Sequence, residues 1–201
     1  MKILGIDPGS LVTGYGVVES TGGRGKGGPA GWAGAGGGKM AGAAAGRSGL
    51  VHVSDGVVTL KGLKDLPARL LALAEGLDAV LRDFSPDAVA VESVFHSKNA
   101  RSALMLGHSR GVVLLAAARY GLPVYEYPPT TVKQAVTGYG LAAKDQVNKM
   151  VGILLGRPPS APALPADAAD ALAVAICHIN HSARTAPAGA RTAPTPRSGA
   201  L

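Results

Sequence analysis

Four carboxylates stand where the surrounding pattern asks for apolar side chains. Asp7 ends the short apolar run KILGID, and Glu92 ends the run AVAV. Asp167 and Asp170 lie three residues apart in an Ala-rich stretch, so on a helix they project from one face. Strand ends and a helix face of this kind can meet at one edge of a sheet. Close carboxylates repel and raise one another's pKa unless a cation compensates. Mg²⁺ is the natural candidate, because it wants hard oxygen ligands and uses few protein carboxylates plus substrate phosphate. Two such ions ~3.5–4 Å apart can activate a water and stabilise a leaving 3′-oxygen during in-line displacement. Each acid has a blander reading on its own: Asp-Pro-Gly as a turn, Glu92 as a surface cap, Asp167 as a helix N-cap. Their joint occurrence, in this order, points to a metal site. No Cys/His zinc spacing, Walker phosphate loop or Gly-x-Ser-x-Gly elbow competes with it.

The elements that must position these acids can be read along the chain. Residues 2–7 read as a strand followed by a turn at Pro8-Gly9, and residues 13–19 as a strand pairing back on it. Residues 20–50 are mostly Gly and Ala, bury too little surface to offset their ordering entropy, and read as a flexible insertion. Asp55-Gly56 between β-branched runs signals a hairpin, or a strand with a tight bend. A helix follows, with Asp65 as cap and Pro67 in its first turn. Leu66, Leu70, Leu73, Leu77, Val80, Leu81 and Phe84 recur at helical spacing until Pro86 stops it. Residues 88–91 form a strand buried on both faces. A second long helix spans about 99–120, a strand 122–127, and a shorter helix opens at Pro128-Pro129 and runs through Val136. Residues 144–155 are helical, 157–165 form a Pro-rich connector, and 166–180 make the last helix. The order β-β-β-α-β-α-β-α fits an α/β domain over residues 1–180: a mixed five-stranded sheet with helices on both faces. A dinucleotide-binding domain is excluded, because a second strand, not a helix, follows the first. The tail from His181 repeats Arg-Thr-Ala-Pro and reads as disordered.

A chain of 201 residues with 47% hydrophobic residues suits one domain with a single core. The net charge of +7 would by itself invite a nucleic-acid reading. Its placement weakens that inference: Arg24, Lys26, Lys39, Arg47, Arg184, Arg191 and Arg197 account for the entire excess. The rest of the chain is balanced, although residues 93–166 are locally basic. One cysteine, Cys177, with no signal peptide and no membrane-length apolar segment, indicates a reducing, cytoplasmic compartment.

Residues 1–19 (MKILGIDPGSLVTGYGVVE), 91–110 (VESVFHSKNARSALMLGHSR), 125–138 (YEYPPTTVKQAVTG) and 166–178 (ADAADALAVAICH) resemble the signature blocks of the RuvC family of crossover junction endodeoxyribonucleases. The resemblance implies a ribonuclease H-like fold and a homodimer that binds a Holliday junction. It implies paired, symmetric nicks by two-metal-ion hydrolysis, ligatable products, and work beside the RuvA–RuvB branch-migration complex. Asp7, Glu92, Asp167 and Asp170 would hold Mg²⁺, with Mn²⁺ as a substitute. Some relatives carry His at the first acid of the last pair, so Asp170 ranks above Asp167. Lys133 and Lys144 match basic positions near the scissile phosphate, and Phe95 matches an aromatic that stacks on junction bases. Lys98, Asn99, Arg101 and Arg110 complete the expected DNA-binding set. The insertion departs from the family pattern; it is read as inert linker rather than as a source of phosphate contacts. Cys177 is read as core packing and His178 as a cation at the helix C-terminus.

Two other readings remain in view. A phosphotransferase of the actin and sugar-kinase superfamily also begins with a strand bearing an Asp-x-Gly turn, but 201 residues leave no room for its second domain. A non-catalytic junction binder would have no reason to retain all four acids.

Overall fold

The computed structural model describes residues 1–21, 49–93 and 100–185. Ten elements follow in chain order. They are β1 (Lys2–Asp7), β2 (Val12–Ser20), β3 (Leu50–Thr59), α1 (Leu66–Phe84), β4 (Ala88–Glu92), α2 (Ala100–Arg119), β5 (Val124–Tyr127), α3 (Pro129–Thr137), α4 (Lys144–Leu154) and α5 (Ala166–Thr185). The five strands form one sheet in the order β3-β2-β1-β4-β5. The β1–β2 and β2–β3 pairs are antiparallel, and β1–β4 and β4–β5 are parallel. A short turn joins β1 to β2, residues 21–49 join β2 to β3, and a helical crossover, α2, joins the parallel β4 and β5.

Side-chain alternation along the strands divides the core in two. Ile3, Ala88 and Ala90 face α3, α4 and α5. Leu4, Ile6, Val89 and Val91 face α1 and α2. Helix α1 begins as its sequence requires: the Asp65 carboxylate accepts from the Ala68 N–H at 2.7 Å, with Pro67 in the first turn. It ends at Ser85, whose left-handed backbone (φ 44°) lets its N–H donate to Leu81 before Pro86.

Helix α5 is seated unusually close to the sheet. A Cβ on Gly5 would stand 2.0 Å from the Ala171 carbonyl oxygen, and one on Gly14 would stand 1.9 Å from that of Asp167. One on Gly16 would meet the Leu172 side chain at 2.6 Å. The helix answers with small residues: Ala168, Ala169, Ala171, Ala173 and Ala175 are all buried. Three strand glycines and an Ala-rich helix therefore set one separation between them.

Of the two readings of Asp55-Gly56, the hairpin turn does not hold and the strand does: β3 runs unbroken through it, paired to β2, with a register shift between Val17 and Val18. Gly56 faces Tyr15 across the strands, and a Cβ there would meet the Tyr15 ring at 2.6–2.8 Å, so the glycine makes room for an aromatic. The end of the last helix is corrected: α5 continues past residue 180 to Thr185. The His181 ring lies 5.2 Å from that of Tyr127, and Ser182 donates to the Ile179 carbonyl at 3.0 Å, so the extra turn is anchored. The rest of the expected tail, and residues 22–48 of the expected insertion, lie outside the described residues. The ends of the insertion are stitched together: the Thr21 N–H and hydroxyl both donate to the Gly49 carbonyl, at 3.0 and 3.1 Å.

Two outcomes follow. Gly5→Ala should cost ~2 kcal/mol or more, since backbone must move, and Gly16→Ala less, since the flexible Leu172 can yield; urea denaturation midpoints at unchanged slope test the ranking. Replacing residues 22–48 by a short Gly-Ser linker should leave the thermal transition within a few degrees, because loop length contributes little to closure entropy. A collapsed transition would show that the segment packs on the domain.

Candidate active site

Asp7 and Glu92 end adjacent parallel strands, with Ile6 paired to Val91 just before them. Alternation settles their direction. Ile6 and Val91 face α1 and α2, so the next residue on each strand faces α5. Asp7 is also paired with Gly14, the glycine on which the Asp167 backbone rests. The first turn of α5 is thereby pressed against the end of β1, and Asp170, one turn further on, shares that edge. Lys144, the first residue of α4, places its ammonium 2.6 Å from Asp170 Oδ2. All four acids and both lysines of the expected set lie at this edge of the sheet, or act on it electrostatically.

The electrostatics bear the strain of crowding. The Asp7 carboxyl is pushed up to about 7, first by burial, then by the charges of Glu92, Asp170 and Asp167; Lys144 opposes the rise. Glu92 is also raised, by burial and then by Asp170, against Lys133 and Lys144. Lys144 is raised in turn, first by its hydrogen bond to Asp170. Among the described residues, no three acid, histidine or cysteine side chains are drawn in far enough to chelate one ion as they stand. The donor chemistry nevertheless suits a hard cation. Every donor is a carboxylate oxygen, and burial, then the neighbouring acids, push the Asp7 carboxyl up to about 7, a penalty that a bound cation would relieve.

The remaining expected residues fare unevenly. Phe95, Lys98 and Asn99 lie outside the described residues, as does the side chain of Arg101. Arg110 is ion-paired to Glu126 of β5, so its charge is already answered. Cys177 is buried in the core as expected, its thiol pushed up to about 12 by burial. His178 is corrected. It is buried in mid-helix and hydrogen-bonded through Nδ1 to the Tyr127 hydroxyl at 2.8 Å. Burial, and then the neighbouring His181, hold its pKa below the usual value, so it is no helix-terminal cation. Sequence reasoning missed Ser109, a buried α2 residue whose hydroxyl lies 3.1 Å from the Gly9 carbonyl, bracing the turn after Asp7. It also missed the helix-seating glycines. The close spacing of Gly5, Gly14 and Gly16 was a visible signal for these, whereas nothing marked Ser109.

Comparison with known proteins agrees. The family model of the crossover junction endodeoxyribonuclease RuvC matches residues 37–178. This chain belongs to the RuvC family. A RuvC from Trichlorobacter lovleyi is 48% identical over 180 residues, covering 90% of this chain and 85% of that protein. The structure of Thermus thermophilus RuvC superposes with a TM-score of 0.70 at 34% identity, covering 92% of this chain and 96% of its own. The same RuvC in complex with a Holliday junction substrate gives 0.72 at 34% identity, covering 90% and 94%. The ribonuclease H-like reading of the sheet and the endonuclease class both stand on these likenesses. The family-model match begins beyond Asp7, but the pairwise likenesses span about nine-tenths of the chain.

The elevated Asp7 value makes a prediction for the metal-free protein. The folded state holds this proton more tightly than the unfolded chain, so stability declines as pH rises from about 4 through about 7. Asp7→Asn should flatten that decline and, in EDTA at pH 8, be more stable than the native sequence by roughly 2–4 kcal/mol. Urea unfolding at pH 5 and 8 measures this. Equal or lower stability of Asp7→Asn at pH 8 would rule out a strained carboxylate.

Proposed function

We propose that this RuvC family member is a Mg²⁺-dependent Holliday junction resolvase that nicks four-way DNA junctions symmetrically, leaving ligatable ends. The observation that carries the reading is the mutual electrostatic crowding of Asp7, Glu92, Asp167 and Asp170 beside Lys144. Such a cluster is costly to the fold and useful only if cations arrive. Asp7, Glu92 and Asp170, with Asp167 supporting, would hold them. When bound, two ions would supply an activated water and charge stabilisation at the leaving 3′-oxygen, with Mn²⁺ able to substitute for Mg²⁺.

The lysines have a separate task. Lys133 reaches the field of Glu92, and Lys144 that of all three aspartates, so both border the place a phosphodiester must occupy. Each would offset phosphate charge as it grows in the transition state. Phe95 would stack on a junction base, and Lys98, Asn99 and Arg101 would follow the backbone, on the strength of the family resemblance. Arg110 would join them only by exchanging Glu126 for a phosphate.

Symmetric nicking needs two sites, and the exposed face of α2 supports a second copy packing there. Leu104 and Leu115 are exposed, and nothing stands within 4 Å of where a Cβ on Gly107 or Gly111 would lie. An apolar stripe with small residues at its centre suits close helix packing in a homodimer. Among the described residues, no helix is long and apolar enough to cross a membrane. Action in the cytoplasm beside RuvA–RuvB completes the reading.

The direct test uses a synthetic immobile four-way junction and a linear duplex, each with and without Mg²⁺, resolved on a denaturing gel. Paired cuts confined to the junction and the metal-containing lanes are expected. Lys144→Ala should slow them roughly 10–100-fold. Cutting in EDTA, or equal cutting of duplex, would overturn the proposal.

A further inference from the structure

The segment joining α3 to α4 runs from Gly138 to Ala143 and ends at Lys144, whose ammonium touches Asp170. It is firmly held. The Gly138 N–H donates to Gln134 at 2.9 Å, and the Thr137 hydroxyl donates to the Lys133 carbonyl at 2.8 Å while accepting from the Tyr139 N–H at 3.2 Å. The Ala142 N–H donates to the Tyr139 carbonyl at 3.2 Å, and the Ala143 N–H to Gln146 Oε1 at 2.9 Å. Ala142 is buried as an anchor, and Gly140 packs against Thr130 at the start of α3. The segment therefore folds back to the end of α3 that follows β5, the end on which Glu92 and Tyr127 lie.

Yet this braced segment holds two large apolar side chains in water. Tyr139 is 59% exposed and Leu141 73% exposed. Tyr125, the other exposed tyrosine near the sheet edge, already has a ring partner in His178 at 4.3 Å. Among the described residues no ring packs on Tyr139. Leu141 is three residues from Lys144, so their Cα atoms are within about 11 Å. Rigid backbone, exposed aromatic and aliphatic surface, and two flanking lysines are what a nucleobase beside a bound phosphate would meet.

We propose that Tyr139 and Leu141 form a stacking platform for a base flanking the scissile phosphate. The proposal rests on the junction-nuclease reading above. It adds a contact that fixes the register of the strand, because a preformed platform takes up a base at little ordering cost. Lys133, midway along α3, and Lys144, the first residue of α4, would hold the phosphate while the platform holds its neighbour.

The test is a junction carrying 2-aminopurine at each nucleotide flanking the cut, titrated in EDTA with native protein, Tyr139→Ala, Tyr139→Phe and Leu141→Ala. Native protein and Tyr139→Phe should change the fluorescence at one of these positions. Tyr139→Ala should abolish that change and weaken junction binding about tenfold, the loss of one stacked base. Leu141→Ala should have a smaller effect. Both side chains are exposed, so thermal transitions should not move. Native affinity and fluorescence in Tyr139→Ala would overturn the platform while leaving the nuclease reading intact. So would a dimer, seen by sedimentation, that falls apart in Tyr139→Ala, since the ring would then be covered by a second copy. Native protein that ignores the junction altogether would sink the underlying reading and the platform with it.

Discussion

Helix α5 lies on glycine. Where Gly5 and Gly14 meet it, the nearest atoms to a missing Cβ are backbone oxygens about 2 Å away, which no rotamer change can relieve. The contact between α5 and the β1–β2 pair is therefore fixed by main chain against main chain. The first turn of α5 carries Asp167 and the second carries Asp170, while the strand beneath carries Asp7. A helix standing even a methyl group further out would carry its acids away from Asp7. The rest of the architecture serves this contact: β4 brings Glu92 alongside through its parallel register, and α4 delivers Lys144 to Asp170.

That geometry runs against stability. A half-buried carboxylate with three acidic neighbours is a poor choice for a core, and Asp7 responds by holding its proton up to about pH 7. The cost is borne by two apolar clusters, one on each side of the sheet, which between them include every large apolar side chain of β1 and β4. Strain concentrated at one edge of an otherwise consistent fold is the usual mark of a site selected for chemistry.

Much of this was legible in the sequence because the signals were local. Asp65, Pro67 and the leucines after them define α1 almost to the residue, and the AVAV run and its closing acid define β4. Asp7 and Glu92 were legible for the same reason, as charges that end apolar runs, and Asp167 and Asp170 by their three-residue spacing in an Ala-rich stretch. Signals that depended on a partner strand or helix were left open, misread or missed. Asp55-Gly56 leaves turn and strand open until Tyr15 is known to lie opposite Gly56. His178 looks like a terminal cation until Tyr127 is found against it and α5 is seen to continue for seven more residues. Arg110 looks like a free cation until Glu126, sixteen residues away, closes on it. Local propensity cannot report contacts made across the fold.

On the proposed reading, charge at the site would favour two ions over one. With every group ionised, the four carboxylates exceed the two ammoniums of Lys133 and Lys144 by two negative charges, a sign that repels a phosphodiester. One divalent cation would bring this fully ionised cluster only to neutrality. A second would turn the site positive, which is the condition for drawing in a phosphate and for stabilising the further negative charge that builds as the bond breaks. The lysines alone cannot do this, since Lys144 is already committed to Asp170. The release of that ammonium toward the phosphate, as cations take over the carboxylate, would tie metal loading and substrate engagement to one side chain. On the proposed reading, a lysine so placed would answer the acid when the site is empty of substrate and the phosphate when it is full.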